Sequence, residues 1–172
     1  AKEQKIMKME LKSFKHFPSM SEETNCFSAV LWIDGAKFCP ISDRGFGGEI
    51  ELSANWKDVE PINDWCKANL PKWGSKFCDK DDMETGLQLY LSQLVEQKIC
   101  EKDFKKHWKS KIILIDPYKK GVYSTIKKPV FESTKEYDDF LQEVARRYPT
   151  DYVLNLMPED KARTFWLDHH KD

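Results

Sequence analysis

Three glycines fall within four positions of the stretch SDRGFGGEIEL, residues 42–52. Gly45, Gly47 and Gly48 tolerate positive φ and let another backbone, or a ligand, come close. Successive amides in such a turn can cradle an anion, with Arg44 beside them. The plainer reading is a bulged connection between strands. Phe46 would then be an exposed aromatic next to an arginine, a pairing common at protein interfaces. The candidate binding loop is Asp43, Arg44, Gly45, Phe46, Gly47 and Gly48.

A second candidate is electrostatic. Between Glu101 and Val130, nine lysines stand against Glu101, Asp103 and Asp116, a local charge of +6 in a chain of net charge -1. Trp108, Tyr118 and Tyr123 are interleaved with them. Lysines among aromatics can hold phosphates and stack bases. A solvated helix end followed by a hairpin tip gives the same pattern, because lysines suit the negative pole of a helix. No arginine occurs there, which disfavours bidentate reading of bases. The stripe residues are Lys105, Lys106, Lys109, Lys119, Lys120, Lys127 and Lys128.

Catalytic and metal patterns are weaker. Asp79, Asp81, Asp82 and Glu84 resemble a calcium loop, but Glu84 holds the sixth position and Tyr90 the twelfth, where glycine and glutamate are needed. These acids read instead as the start of a helix. Asp168-His169-His170 reads as a frayed polar end rather than a metal site. Asp116 ends an apolar run, as a nuclease acid would, yet no E-x-K follows on GVYSTIKK. No nucleophile elbow or phosphate-binding glycine motif is present. The balance leans away from an enzyme, with no catalytic residue, metal or cofactor assigned.

These residues need elements to carry them. ELKSFKHF reads as a first strand, with Leu11, Phe14 and Phe17 as its apolar points. Asp34-Gly35 joins two strand-like runs and is a preferred hairpin turn. A regular ladder would set Leu31 against Phe38, Ala29 against Pro40 and Val30 against Cys39. It would turn Phe27, Ala29, Leu31, Ile33, Ala36 and Phe38 to the core. Pro40 then marks an edge strand or a strand end. Residues 48–54 form a third strand.

Helices are expected over DVEPINDWCKANLP, capped by Asp58 or Glu60, and from about Asp82 to Trp108. Ile112 to Ile115 is an unbroken apolar run, so it reads as a central strand paired with GVYSTIKK. STKEYDDFLQEVARRYP carries a capping box, Ser133 with Glu136. DYVLNL is a short extended segment, and a last helix follows Pro158.

The chain of 172 residues, 40% hydrophobic and 13% aromatic, is read as one α+β domain: an N-terminal antiparallel meander and about four helices on an antiparallel or mixed sheet, residues 1–9 forming a flexible start. No apolar run has the length of a membrane span. Five cysteines without a C-x-x-C pair argue for free thiols in a reducing cytosol.

ETNCFSAVLWIDGAK, DRGFGGEI and DYVLNLMPEDKA together resemble a family of small uncharacterised proteins of bacteriophages, prophages and plasmids. Its members share an E-T-x-C-F segment, a D-G-x-K hairpin, a D-G-x-G-G loop and a late L-N-L-M-P. Phe46 stands where members often have histidine, and Arg44 also departs from the pattern, which speaks against acid-base chemistry in this loop. The resemblance implies a mobile-element origin and residence in the cytoplasm of a bacterial host. The expected function is that of a non-catalytic accessory or anti-defence protein binding a host macromolecule, most readily a protein. The alternative is a protein that binds or processes nucleic acid or nucleotides, using the lysine stripe and Asp116.

Overall fold

The computed structural model describes residues 7–72 and 84–171. Cys78, Asp79, Asp81, Asp82 and Met83 lie outside the described residues. The chain is α+β, and its contacts divide it into two compact units, Ala1–Lys98 and Ile99–Asp172. Its strands form two separate sheets, both antiparallel, one in each unit.

The first unit contains β1 (Met9–His16), β2 (Phe27–Ile33), β3 (Ala36–Asp43) and β4 (Glu51–Leu52), paired in chain order as a meander. Met9 is 5% exposed and opens β1, and Lys8 exchanges hydrogen bonds with Asp34, so the sheet begins inside the segment expected to be a flexible start. Asp34 and Gly35 both take positive φ, as their hairpin turn requires.

Two bulges change the expected register. Ser13, at φ 54, interrupts β1 between Lys12 and Lys15. The extra residue lets Phe14 stack on Phe27 after Leu11 has already paired with Leu31. In β3 the pairing jumps from Trp32↔Lys37 to Leu31↔Cys39, leaving Phe38 as the extra residue. The bulge places Cys39, Ile41 and Asp43 on the buried face instead of Ala36 and Phe38. Cys39 therefore faces Leu31 and not Val30. β3 also runs past Pro40 to Asp43, and only the two-residue β4 flanks its outer side.

Helix α1 (Trp56–Asn69) starts earlier than expected, with Asn55 and not Asp58 or Glu60 at its N-cap, so Pro61 sits inside it. It buries Val59, Ile62 and Cys66. The Asn63 side chain of α1 accepts the amide of Leu87, the first residue of α2 (Leu87–Ser110), and so caps that helix from outside. α2 thus begins several residues after Asp82. It crosses the division, with its first turns in one unit and its last in the other.

In the second unit, β5 (Lys111–Ile115) lies between β6 (Tyr123–Lys127) and β7 (Tyr152–Val153). Helix α3 (Thr134–Arg147) precedes β7, and α4 (Glu159–His170) follows it after a single 3-10 turn, Leu154–Leu156. The apolar run of β5 exists because both of its faces are covered. Ile112 and Leu114 pack with Leu141, Val144 and Val153 on the α3 side. Ile113 and Ile115 pack with Phe104, Leu154, Ala162 and Trp166 on the side of α4 and the end of α2. Each Val, Leu, Ile or Phe among them stabilises by roughly 1.5–3 kcal/mol when fully buried. Ser133 caps α3 by accepting the Glu136 amide at 3.2 Å.

Candidate functional site

The glycine loop closes over the segment that precedes β2. The Gly45 carbonyl accepts three successive amides, those of Glu22, Glu23 and Thr24, at 2.9, 2.8 and 3.3 Å. The Gly45 amide donates to the Asp43 carboxylate at 2.7 Å, and the Gly47 amide to the Thr24 hydroxyl at 3.3 Å. Thr24 in turn donates to Asp43 at 2.8 Å. The Gly45 and Gly47 amides are thus committed within the protein. The three amides of residues 22–24 do converge as a nest, but what fills it is the Gly45 carbonyl.

Gly45, at φ +87, leaves no room for a side chain, because a Cβ there would run into the Met20 carbonyl. Arg44 points to Glu51, 3.6 Å away, in an exposed pair. Phe46 is 60% exposed at the tip. The loop is therefore a braced corner that holds out one aromatic ring.

Beneath that corner is a cleft of about 450 Å³. Its walls come from residues 21–25, from Phe27 and Asp43, from the segment Gly48, Glu49 and Ile50, and from one face of α2 (Gln88, Ser92, Val95 and Glu96). Gln88 fixes this geometry: its side-chain carbonyl accepts the Ile50 amide at 2.9 Å, and its amide group donates to the Ile50 carbonyl at 3.0 Å. Five carboxylates line the space (Glu22, Glu23, Asp43, Glu49 and Glu96) and no basic side chain does. Phe27, Ile50 and Val95 supply the apolar part of the wall. Such a cleft repels phosphates and attracts cations. Of the expected loop residues, Asp43 and Gly48 line it, whereas Arg44 and Phe46 do not.

The four glutamates were not legible as a site, since they lie in three separate stretches. The one signal was the pair Glu22-Glu23 ahead of Thr24, far in sequence from Glu49 and Glu96.

The lysine stripe belongs to the second unit and separates into two groups. Lys102, Lys105, Lys106 and Lys109 share one face of α2, opposite Phe104, and are exposed. Lys105, Lys106 and Lys109 form no ion pair among the described residues. Lys128 has a structural task. Its ammonium donates to the Trp108 carbonyl at 2.7 Å near the end of α2, and it sits over the Trp108 and Tyr137 rings. Burial lowers its pKa. Lys119 pairs with Asp116 at 3.7 Å, Lys127 lies opposite Lys111 across the β5–β6 ladder, and Lys120 is exposed in the connecting turn.

Asp116 closes that turn by accepting the Tyr118 amide at 2.9 Å. Among the described residues, no three His, Cys, Asp or Glu side chains are grouped to hold a metal ion. Among them too, no helix is long and apolar enough to cross a membrane. Cys26, Cys39, Cys66 and Cys100 are free thiols. Burial raises the Cys66 pKa to about 11 and also raises that of Cys39.

His169 and His170 are not frayed. They form the last turn of α4, and the His169 carbonyl accepts the Gly121 amide at 3.0 Å. His170 packs on Trp166 at 4.2 Å. No family model matches the sequence, and neither a curated protein nor a solved structure shows significant similarity to it.

Proposed function

We propose that this chain is a non-catalytic binding protein whose first unit receives a positively charged segment of a partner protein. The observation that carries this reading is the cleft of about 450 Å³ lined by five carboxylates and no basic group. Its shape is braced by Gly45, Asp43, Thr24 and Gln88, so a ligand meets a preformed surface. Phe46 stands on the same loop as an aromatic anchor at the rim of such an interface. The resemblance to proteins of bacteriophages, prophages and plasmids supports a partner in the cytoplasm of a bacterial host, and an inhibitory, anti-defence role. Charge reversal tests this. A host protein captured by the native chain is expected to be lost on Glu23→Lys with Glu49→Lys, and to cross-link through cleft residues. A partner held equally by that variant counts against the reading.

A second reading, a nucleic-acid-binding protein, is favoured by the exposed face of Lys102, Lys105, Lys106 and Lys109. Titration of a labelled DNA strand separates the two. Three or four phosphate contacts give a log–log salt slope of about -2 to -4. Binding with that slope, lost on Lys105→Glu with Lys109→Glu, is what this second reading requires.

A further inference from the structure

A cluster of aromatic and imidazole rings in the second unit has no part in the binding reading. Trp166, 1% exposed, donates its indole N–H to the Cys100 carbonyl at 3.0 Å. Tyr123 meets it edge-on at 4.6 Å, and the His107 ring lies 5.5 Å from Tyr123 and 6.2 Å from Trp166. His107 Nε2 is 3.3 Å from the Tyr123 hydroxyl. His107 Nδ1 is buried and has no hydrogen-bond partner. On α4, His170 Nδ1 donates to the Trp166 carbonyl at 2.7 Å, and its ring lies 5.6 Å from Tyr123. His169 Nε2 reaches the Val122 carbonyl at 3.1 Å. The last turn of α4 is therefore fastened to the start of β6 through these rings.

A neutral imidazole suits this place. With its one proton on Nε2, shared with Tyr123, the buried Nδ1 is a bare acceptor. Protonation puts an N–H on the buried Nδ1, where no protein group accepts it, and a charge on a partly buried ring. The charged groups around the ring add to this. Lys111 on β5 and Lys106 on α2 oppose a positive charge there, while Asp103 on α2 favours it; Tyr123 on β6 touches the ring, and His170 on α4 packs in turn on Tyr123 and Trp166. Burial is the largest influence, and the His107 pKa is lowered from 6.5.

We propose that His107 is an acid-sensitive latch: its neutral ring holds Tyr123 and Trp166 in place, and its protonation releases the last turn of α4 from the sheet. The sign follows from the lowered pKa. The stability is present above 6.5, the unfolded value, and is lost as pH falls through the lowered folded value.

The test is amide hydrogen exchange in the full chain, corrected for intrinsic rates, between about pH 7.5 and pH 5.5, with the His107 ring followed by NMR. Protection of the amides from Trp166 to His170 is expected to fall several-fold as His107 titrates, while the α3 amides keep theirs. In His107→Phe, which keeps a ring but cannot titrate, α4 protection is expected to be flat over that range. Unchanged α4 protection in the native chain, or an equal fall in His107→Phe, overturns the proposal. If that variant does not fold, a mismatch between the His107 titration and the opening of α4 in the native chain overturns it equally.

Discussion

The Asp43 carboxylate and the Gly45 amide are 2.7 Å apart, two residues from each other in sequence. That bond turns the chain sharply at the end of β3 and aims the Gly45 carbonyl at the amides of residues 22–24. One carboxylate at the wall of the acidic cleft is thereby fixed in place, and the glycine corner is fixed with it.

Gly45→Ala is expected to destabilise the chain by about 2–4 kcal/mol, from positive-φ strain together with overlap with the Met20 backbone. Gly48→Ala meets open space and carries the strain alone, roughly 1–2 kcal/mol. Urea denaturation of both variants checks the order.

Asn155 is buried within the late LNL segment, and its side chain substitutes for a strand neighbour of β5. Its Oδ1 accepts the Ile113 amide at 2.8 Å, and its Nδ2 donates to the Lys111 carbonyl at 3.3 Å. Asn155→Leu leaves a buried amide without a partner and is expected to destabilise by about 1–3 kcal/mol. Faster exchange at the Ile113 amide is the specific readout.

Cys66, fully buried on α1, carries a pKa raised from 9.0 to about 11. The folded state keeps its proton longer than the unfolded state does. Its contribution to stability is thus complete below pH 9 and is lost as pH rises through about 11. Thiolate is the reactive form, so iodoacetamide at neutral pH is expected to leave Cys66 unmodified in the folded chain. Mass spectrometry of the labelled protein reads this directly, and Cys66→Ala is expected to flatten part of the alkaline loss.

Lys128 and Lys105 are expected to part company. Lys128→Met keeps the aliphatic stem but removes the donor to the Trp108 carbonyl, for a loss of about 1–2 kcal/mol. Lys105→Glu, on the exposed face of α2, is expected to stay within about 0.5 kcal/mol of the native chain. Paired thermal or urea melts measure the difference.

What the sequence revealed was local. Asp34-Gly35 announces a turn because two adjacent residues must both take positive φ, and Ser133 with Glu136 announces a helix start because the cap spans one turn. Ile112 to Ile115 announces a strand covered on both sides. The bulges at Ser13 and Phe38 stayed hidden, since each is decided by what the partner strand must bury. The division into two sheets stayed hidden for the same reason: it depends on which strands meet. The cleft is the extreme case. Glu22, Asp43, Glu49 and Glu96 become neighbours only after β2, β3 and α2 have packed, and Gly45 and Gly47, which drew attention, serve as a brace beside them.

The central claim, that the acidic cleft takes a cationic segment, is tested most directly by NMR titration with a lysine-rich peptide of about ten residues, against a glutamate-rich peptide of equal length. The account predicts shifts concentrated at Glu22, Glu23, Thr24, Glu49 and Gln88, weakened between about 50 and 200 mM salt, and abolished by Glu23→Lys with Glu49→Lys. Shifts spread evenly over the acidic surface and unaltered by that variant, or equal binding of the glutamate-rich peptide, would contradict it.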